Sequence, residues 1–465
     1  MARSWATFGI DLHLDPAGPG LRRGLTDALR EAVRTGRLAP GTRLPSSRAL
    51  AGDLGLARNT VADAYADLVA EGWLTARQGS GTRVADRAAP PAPAAPARPD
   101  RVPGRPRYDL KPGTPDLASF PRAAWLRATR RALAAAPHDA FGYGDPRGRV
   151  ELRTALAGYL ARARGVRADP DRIVVCSGFA QGLRLLAEVL RRRGLPSLAV
   201  ESYGLDSHWD LVERAGLSTV PLPLDTHGTV VDGLGTEGAV LLTPAHQFPM
   251  GLALRPDRRA ALVDWARRTG GLILEDDYDG EFRYDRRQPV GALQDLDPDR
   301  VAYLGTASKS LAPGLRLGWL VLPRPLVNEV TALGGARSTG VMEQLTLAEF
   351  MASGAYDRHL RAARLRYRRR RDALVAALAE RAPDVTVTGI AAGLHAVLRL
   401  PPGTEQSVVR AAAWHGLAVH GLSRYRHPDA PAGSPASPDA LVIGYGTPPD
   451  HAWAGTLDAL CAALP

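Results

Sequence analysis

Between Asp86 and Arg107 the chain is built largely from alanine, proline and arginine, with seven prolines from Pro90 to Pro106. Proline removes backbone donors and alanine offers little to bury, so this stretch cannot complete a core and favours extended, polyproline-like conformations. At ~3.1 Å per residue it reaches roughly 50 Å when fully extended. It lies between two patterned regions, which makes it a linker rather than a tail. A chain of 465 residues is too long for one ordinary core. The expected organisation is therefore a domain over residues 1–85, a linker over 86–107 and a larger domain over 108–465.

In the first part, Leu21, Leu25, Ala28, Leu29, Ala32 and Val33 recur at helical spacing, and Gly36 sets the stop. Next, Ser46 and Ser47 are placed to cap a helix that Gly55 ends. A third helix opens at Ala57-Arg58-Asn59-Thr60, with Val61, Ala64, Tyr65 and Leu68 as its inner face. In a helix-turn-helix the second helix presents its first residues to the major groove. Arg58 suits guanine, Asn59 suits adenine, and Thr60 suits a phosphate or a methyl group. A small helical bundle with solvated polar positions shares this spacing. The following runs, Trp73–Arg77 and Thr82–Val84, joined by Gln78-Gly79-Ser80-Gly81, read as a hairpin. Such a wing lays Arg77 and Arg83 against phosphates or the minor groove.

Taken together, Gly36 to Arg48, Arg58-Asn59-Thr60-Val61, Glu71-Gly72-Trp73-Leu74 and Gly79-Ser80-Gly81-Thr82 closely resemble the winged helix-turn-helix of GntR-type transcription regulators. The resemblance implies that Arg43, Ser47, Arg48, Arg58, Asn59, Thr60, Gly79 and Gly81 face a double-stranded DNA operator. A formal charge of +11 and a pI near 10.1 permit this, although a GC-rich coding bias yields the same composition.

The second part alternates helical patterns with short β-branched runs: Ile173–Val175, Leu198–Val200, Ala239–Leu242, Leu272–Leu274 and Val301–Leu304. This predicts an α/β domain with a largely parallel sheet, whose ligands collect at the carboxyl ends of the strands. After the first run, Gly178 and Phe179 open a turn into a helix, whose free amides suit a phosphate. After the second, the ring of Tyr203 can stack on a flat cofactor or pack as an ordinary tyrosine. A turn-rich loop, Thr243 to Gly251, holds His246. The carboxylates of Glu275 to Glu281 suit a metal, a solvated loop or a cationic group; no histidine sits at ligand spacing, so no metal is expected. Asp276 suits a pyridine nitrogen, and the hydroxyl of Tyr278 the phenolic oxygen of the same ring. Lys309 lies among small hydroxylated residues after a buried strand, where desolvation lowers its pKa and frees the amine for a Schiff base. Thr306, Ser308 and Arg316 supply donors for a phosphate. The set describes a site for pyridoxal 5'-phosphate.

The runs Tyr143 to Gly148, Thr243 to Gly251, Asp276-Asp277-Tyr278 and Ser308-Lys309 to Arg316 resemble fold-type I, class I aminotransferases. With the winged helix in front, the whole chain is similar to MocR-type regulators, the GntR subgroup that includes GabR- and PdxR-like proteins. The resemblance implies a Schiff base at Lys309, Asp276 on the ring nitrogen, Tyr278 on the phenolic oxygen, and Arg316, Gly178 and Phe179 on the phosphate. It implies Tyr203 as the stacking ring and a homodimer, often head-to-tail in the family, with Tyr143 reaching the neighbour's phosphate. Two departures stand out. Phe248 precedes Pro249-Met250-Gly251 where the enzymes offer an asparagine, leaving His246 or Gln247 to substitute. The run Leu441 to Tyr445 lacks the arginine that anchors a substrate carboxylate, for which Arg424 is a replacement or merely a surface residue.

The expected protein is a regulator that senses pyridoxal phosphate, an amine or an amino acid, with at most weak transaminase activity. The alternative is an active class I aminotransferase with an accessory DNA-binding module. Cys176 and Cys461 stand too far apart in sequence for a disulfide framework, and the uncharged run Gly238–Leu254 is broken by Pro244 and Pro249. Both features fit a cytoplasmic protein without membrane attachment.

Overall fold

A computed structural model describes residues 20–77, 81–86, 106–235, 237–284, 291–335, 339–430 and 438–465. They fall into two compact units that meet in sequence at Arg105 and Pro106.

The first unit holds α1 (Leu21–Arg34), α2 (Ser47–Leu54) and α3 (Arg58–Ala70), then β1 (Leu74–Arg77) antiparallel to β2 (Gly81–Val84). Leu25, Leu29 and Ala32 of α1 bury against Val61, Ala64, Tyr65 and Leu68 of α3, so the helical spacing in the sequence becomes one core. The Ser46 hydroxyl accepts the Ala49 amide at 3.2 Å, capping α2, and Gly55 ends it in a left-handed conformation. Tyr65 keeps its ring in the core while its hydroxyl donates to the Pro45 carbonyl at 3.0 Å, which fixes α3 against the entry to α2. Leu74 pairs opposite Val84, and both close the base of this core. Amides of Leu44 and Val84 donate to the carbonyls of Thr82 and Thr42 at 2.9 Å each, docking the loop before α2 on the wing.

The second unit opens with β3 (Tyr108–Asp109), α4 (Arg122–Ala135) and α5 (Val150–Arg164). Strand and helix then alternate: β4 (Ile173–Cys176), α6 (Phe179–Arg192), β5 (Ser197–Glu201), α7 (Asp206–Arg214), β6 (Ser218–Leu222), the short β7 (Leu224–Asp225) and β8 (Gly228–Thr229), and β9 (Ala239–Leu242). After them come α8 (Pro256–Thr269), β10 (Leu272–Asp276), β11 (Val301–Thr306) and β12 (Gly318–Val321). Seven of these strands form one sheet in the order β4-β12-β11-β10-β9-β5-β6. All are parallel except β12, which runs antiparallel to both β4 and β11. Every residue of β4, β9, β10 and β11 is buried, as a sheet covered on both faces requires. β6 and β12 lie beyond the five runs read from sequence: β6 is an edge strand that tolerates Pro221, and β12 is four residues opening on glycine.

The chain continues through α9 (Arg324–Ala332), α10 (Val341–Ala352) and the 27-residue α11 (Ala355–Arg381). It ends with β13 (Thr386–Thr388), β14 (His395–Arg399), α12 (Glu405–Trp414), β15 (Leu417–Ala418), β16 (His420–Gly421), β17 (Ala440–Gly444) and α13 (Trp453–Ala463). A four-stranded antiparallel sheet, β13-β14-β17-β16, forms beside the large one, and β15 pairs with β3. Among the described residues no helix is long and apolar enough to cross a membrane.

Candidate functional site

The carboxyl ends of β4, β5, β9, β10 and β11 open on a cavity of about 300 Å³. On one side, Gly178 stands at the start of α6 with Phe179 as the first helical residue, so the first turn of the helix borders the space. Thr306 lines it from the end of β11, and Ser308, Lys309 and Arg316 from the loop that follows. These two segments touch backbone to backbone: a Cβ at Gly318 would stand 2.7 Å from the Gly178 Cα, so only glycine permits the approach. Arg316 adopts the left-handed conformation at φ 53°, uncommon outside glycine and a cost of order 1–3 kcal/mol that the surrounding fold sustains. Its amide donates to the Pro313 carbonyl at 3.3 Å, while its guanidinium forms no hydrogen bond or ion pair among the described residues. The Thr306 hydroxyl lies 2.9 Å from that of Ser308 and accepts the Ser308 amide at 3.1 Å, which holds the loop in a tight turn.

The acidic run at the end of β10 separates into distinct roles. Glu275 accepts the amides of Leu293 and Gln294 at 2.6 and 2.9 Å, and burial pushes its carboxyl up to about 7. Asp277 pairs with buried Arg164 at 2.6 Å and accepts the Tyr303 hydroxyl at 2.7 Å. Asp276 and Asp279 face the cavity instead. One carboxylate oxygen of Asp276 is buried and has no hydrogen-bond partner among the described residues. Burial, reinforced by Asp277, raises the Asp276 carboxyl well above its ordinary range. Enclosure acts on Lys309 in the opposite sense, lowering its pKa against the attraction of Asp276 and Asp279. Its amine donates to the carbonyl of Gly113, which enters the cavity wall from the segment after β3.

Tyr203 and Tyr278 also line the cavity. His246 does not: it sits behind Tyr278 and Asp279, with Nδ1 3.2 Å from the Tyr278 hydroxyl and 2.9 Å from the Asp279 carboxylate. Gln247 is likewise buried, its amide donating to the Tyr203 and Phe248 carbonyls at 2.9 and 2.7 Å. Phe248 faces the cavity in the place where the enzymes offer asparagine. Tyr143 is fully exposed on the single chain, and Arg424 stands half-exposed outside the cavity, 3.7 Å from Asp206. Four titratable lining residues are not singled out by the sequence. Asp279 sits within the acidic run, where only position separates it from its neighbours. Glu201 ends β5 and accepts the hydroxyls of Thr229, at 2.7 Å, and Thr243. His208 and His395 come from α7 and β14, remote stretches that carry no local signal; burial lowers them to about 4 and about 3. His246, Asp279 and His395 form a group at metal-ligand range, within 4.8 Å, but each histidine already has a hydrogen-bond partner.

In the first unit, Arg43, Arg48, Arg58, Asn59 and Gly81 are exposed, and Ser47 and Thr60 half-buried. Arg43 packs against Gly81 and bridges Arg83 of the wing. Gly79 lies outside the described residues.

Residues 109–426 match the family model of class I and II aminotransferases, and residues 21–84 that of bacterial regulatory proteins of the gntR family. The fold is also that of a multiple substrate aminotransferase from Thermococcus profundus, with a TM-score of 0.68 at 24% identity over 78% of this chain and 91% of that one. The class is thus a winged-helix regulator carrying an aminotransferase-like domain. Relatives with both parts are the pyridoxine biosynthesis transcriptional regulator PdxR of Corynebacterium glutamicum, 35% identical over 94% of this chain and 95% of its own, and the probable rhizopine catabolism regulatory protein MocR of Rhizobium meliloti, 34% identical over 87% of each. The chain belongs to the MocR-type branch of the gntR family.

Proposed function

We propose that the protein is a transcription regulator that holds pyridoxal 5'-phosphate in the cavity at Lys309 and binds operator DNA through α2, α3 and the wing. The observation that carries the cofactor assignment is the buried Asp276 carboxylate oxygen without a partner among the described residues, on a cavity that also holds an enclosed lysine. An orphaned buried acceptor is costly unless a ligand donor meets it, and a protonated ring nitrogen is such a donor. Arg316, the Gly178 and Phe179 amides, Thr306 and Ser308 suit the phosphate; Tyr203 suits the ring face and Tyr278 the ring oxygen. Once bound, the cofactor supplies an aldehyde carbon that joins and exchanges amines. Lys309 contributes the amine, and its lowered pKa keeps more of it neutral.

Arg48 and Arg58 support the DNA assignment, since they are exposed and carry no ion pair among the described residues. In this reading residues 86–107 form the linker, and the working form is a cytoplasmic homodimer in head-to-tail arrangement. Exposed Leu126 and Leu133 on α4, with Phe141 and fully exposed Tyr143 just after it, support a partner subunit on that face. The effector is an amine, an amino acid or pyridoxal phosphate itself. It changes operator affinity only as far as it binds two arrangements of the protein with different free energies.

The test is to add pyridoxal phosphate to purified protein, record the visible absorption band, reduce with borohydride and locate the added mass. Mass on the Lys309 peptide is the expected result; no band, or mass spread over surface lysines, removes the proposal.

A further inference from the structure

Tyr278 and Asp279 both line the cavity, and both meet His246 behind them. His246 Nδ1 lies 2.9 Å from Asp279 Oδ2 and 3.2 Å from the Tyr278 hydroxyl. One ring nitrogen cannot donate to the carboxylate and accept from the phenol at once. Asp279 is only 2% exposed, and a buried carboxylate deprived of its donor is costly. The proton therefore belongs on Nδ1, donated to Asp279. With Nδ1 so occupied, His246 cannot take the Tyr278 hydrogen, which is left to an acceptor in the cavity or to Asp279, whose pull the His246 donor weakens.

The packing holds this arrangement tightly. A Cβ at Gly393 would meet His246 Cε1 at 2.3 Å and Asp279 Oδ2 at 2.4 Å, so a bare glycine at φ 70° lets the turn before β14 cover the pair. The His395 ring lies 4.8 Å from that of His246 and is anchored through Nε2, 3.0 Å from the Pro249 carbonyl. Phe248, edge-on to Tyr278 at 6.1 Å between ring centres, offers no polar group that could orient the phenol.

We infer that His246 and Asp279 are positioning residues: the pair fixes Tyr278 as a hydrogen-bond donor to an anionic oxygen of the ligand, in place of a direct contact from the Phe248 position. The inference rests on the proposed cofactor, whose ring oxygen is that acceptor. The charged and titratable groups around Tyr278 are Asp276 and Asp279 from the same strand end, Glu201 from β5, Lys309 from the loop after β11, and His246 and His395.

The experiment is a pH titration of the visible band of the full chain loaded with pyridoxal phosphate. A donor on the ring oxygen makes the bound group give up its proton at lower pH, so Tyr278→Phe raises the midpoint. The expected rise is roughly one to two pH units, the size of a lost hydrogen bond to a charged group. His246→Ala leaves Asp279 to capture the Tyr278 hydrogen and raises the midpoint in the same direction. His246→Gln, whose amide can donate to Asp279, restores it, and His246→Ala added to Tyr278→Phe adds nothing. A midpoint unmoved by His246→Ala while Tyr278→Phe shifts it, or equal shifts with and without the phenol, overturns the pair's role alone. Absence of any band in the unmodified protein overturns the cofactor reading itself, and the inference with it.

Discussion

In the first unit charge stays at the surface: Arg22 and Arg30 of α1 pair with Asp67 of α3 and with Glu71 just beyond it, across solvent, while Arg48 and Arg58 carry no ion pair among the described residues. The second unit has exposed pairs as well but also buries charge: Arg164 holds Asp277, Arg370 holds Asp116 at 3.0 Å, and Asp276 keeps a buried oxygen without a partner among the described residues. Exposed pairs contribute little and rearrange freely, which suits a surface that must meet a phosphate backbone. Buried groups must be satisfied by the fold or by a ligand, which suits a site built for one molecule. The exposed arginines of the first unit and the buried Asp276 of the second thus point to different kinds of partner.

The comparison breaks most sharply at Lys309. Lys309→Ala is expected to abolish the covalent cofactor link and its visible band while DNA affinity persists; a folded variant that has lost all DNA binding contradicts separate roles. Gly318→Ala should be next, because the added Cβ drives into the Gly178 backbone. Cofactor affinity and the stability of the second unit should both fall, the latter by about 1–3 kcal/mol, in calorimetry that leaves the first unit's transition in place.

These two positions also mark how far the sequence could be read. Lys309, Arg316 and Asp276 stand out from their local runs, although the acidic run alone also suits a metal or a solvated loop, and the structure brings all three to one cavity. The winged helix is legible for the same reason: the capping serine, the helical spacing and the hairpin act over a few residues. What stayed hidden depends on long-range packing. Gly318 matters because Gly178 passes beside it, 140 residues earlier in the chain. His395 arrives from the second sheet, and His246 sits behind Tyr278 rather than on the cavity wall. β6 and β12 were missed because an edge proline and an opening glycine mask their pattern.

Smaller effects sharpen the other side. Arg58→Ala should weaken operator binding by ~1–3 kcal/mol if it reads a base, with cofactor absorbance unchanged. Unaltered binding in a gel-shift titration would remove it from the interface. Ser46→Ala deletes the cap of α2 and should lower the stability of the first unit by about 1 kcal/mol, leaving the visible band untouched. A shift in that band would tie the units more closely than their separate cores indicate.

The exposed arginines and the buried Asp276 matter together only if the cofactor site and the DNA surface are linked. The direct measurement is the affinity of the full chain for an operator duplex, selected by binding from random sequences, as pyridoxal phosphate is titrated at constant salt. The account predicts that affinity changes as the visible band saturates, and that Lys309→Ala flattens the response. An operator affinity that stays constant while the band saturates would contradict it.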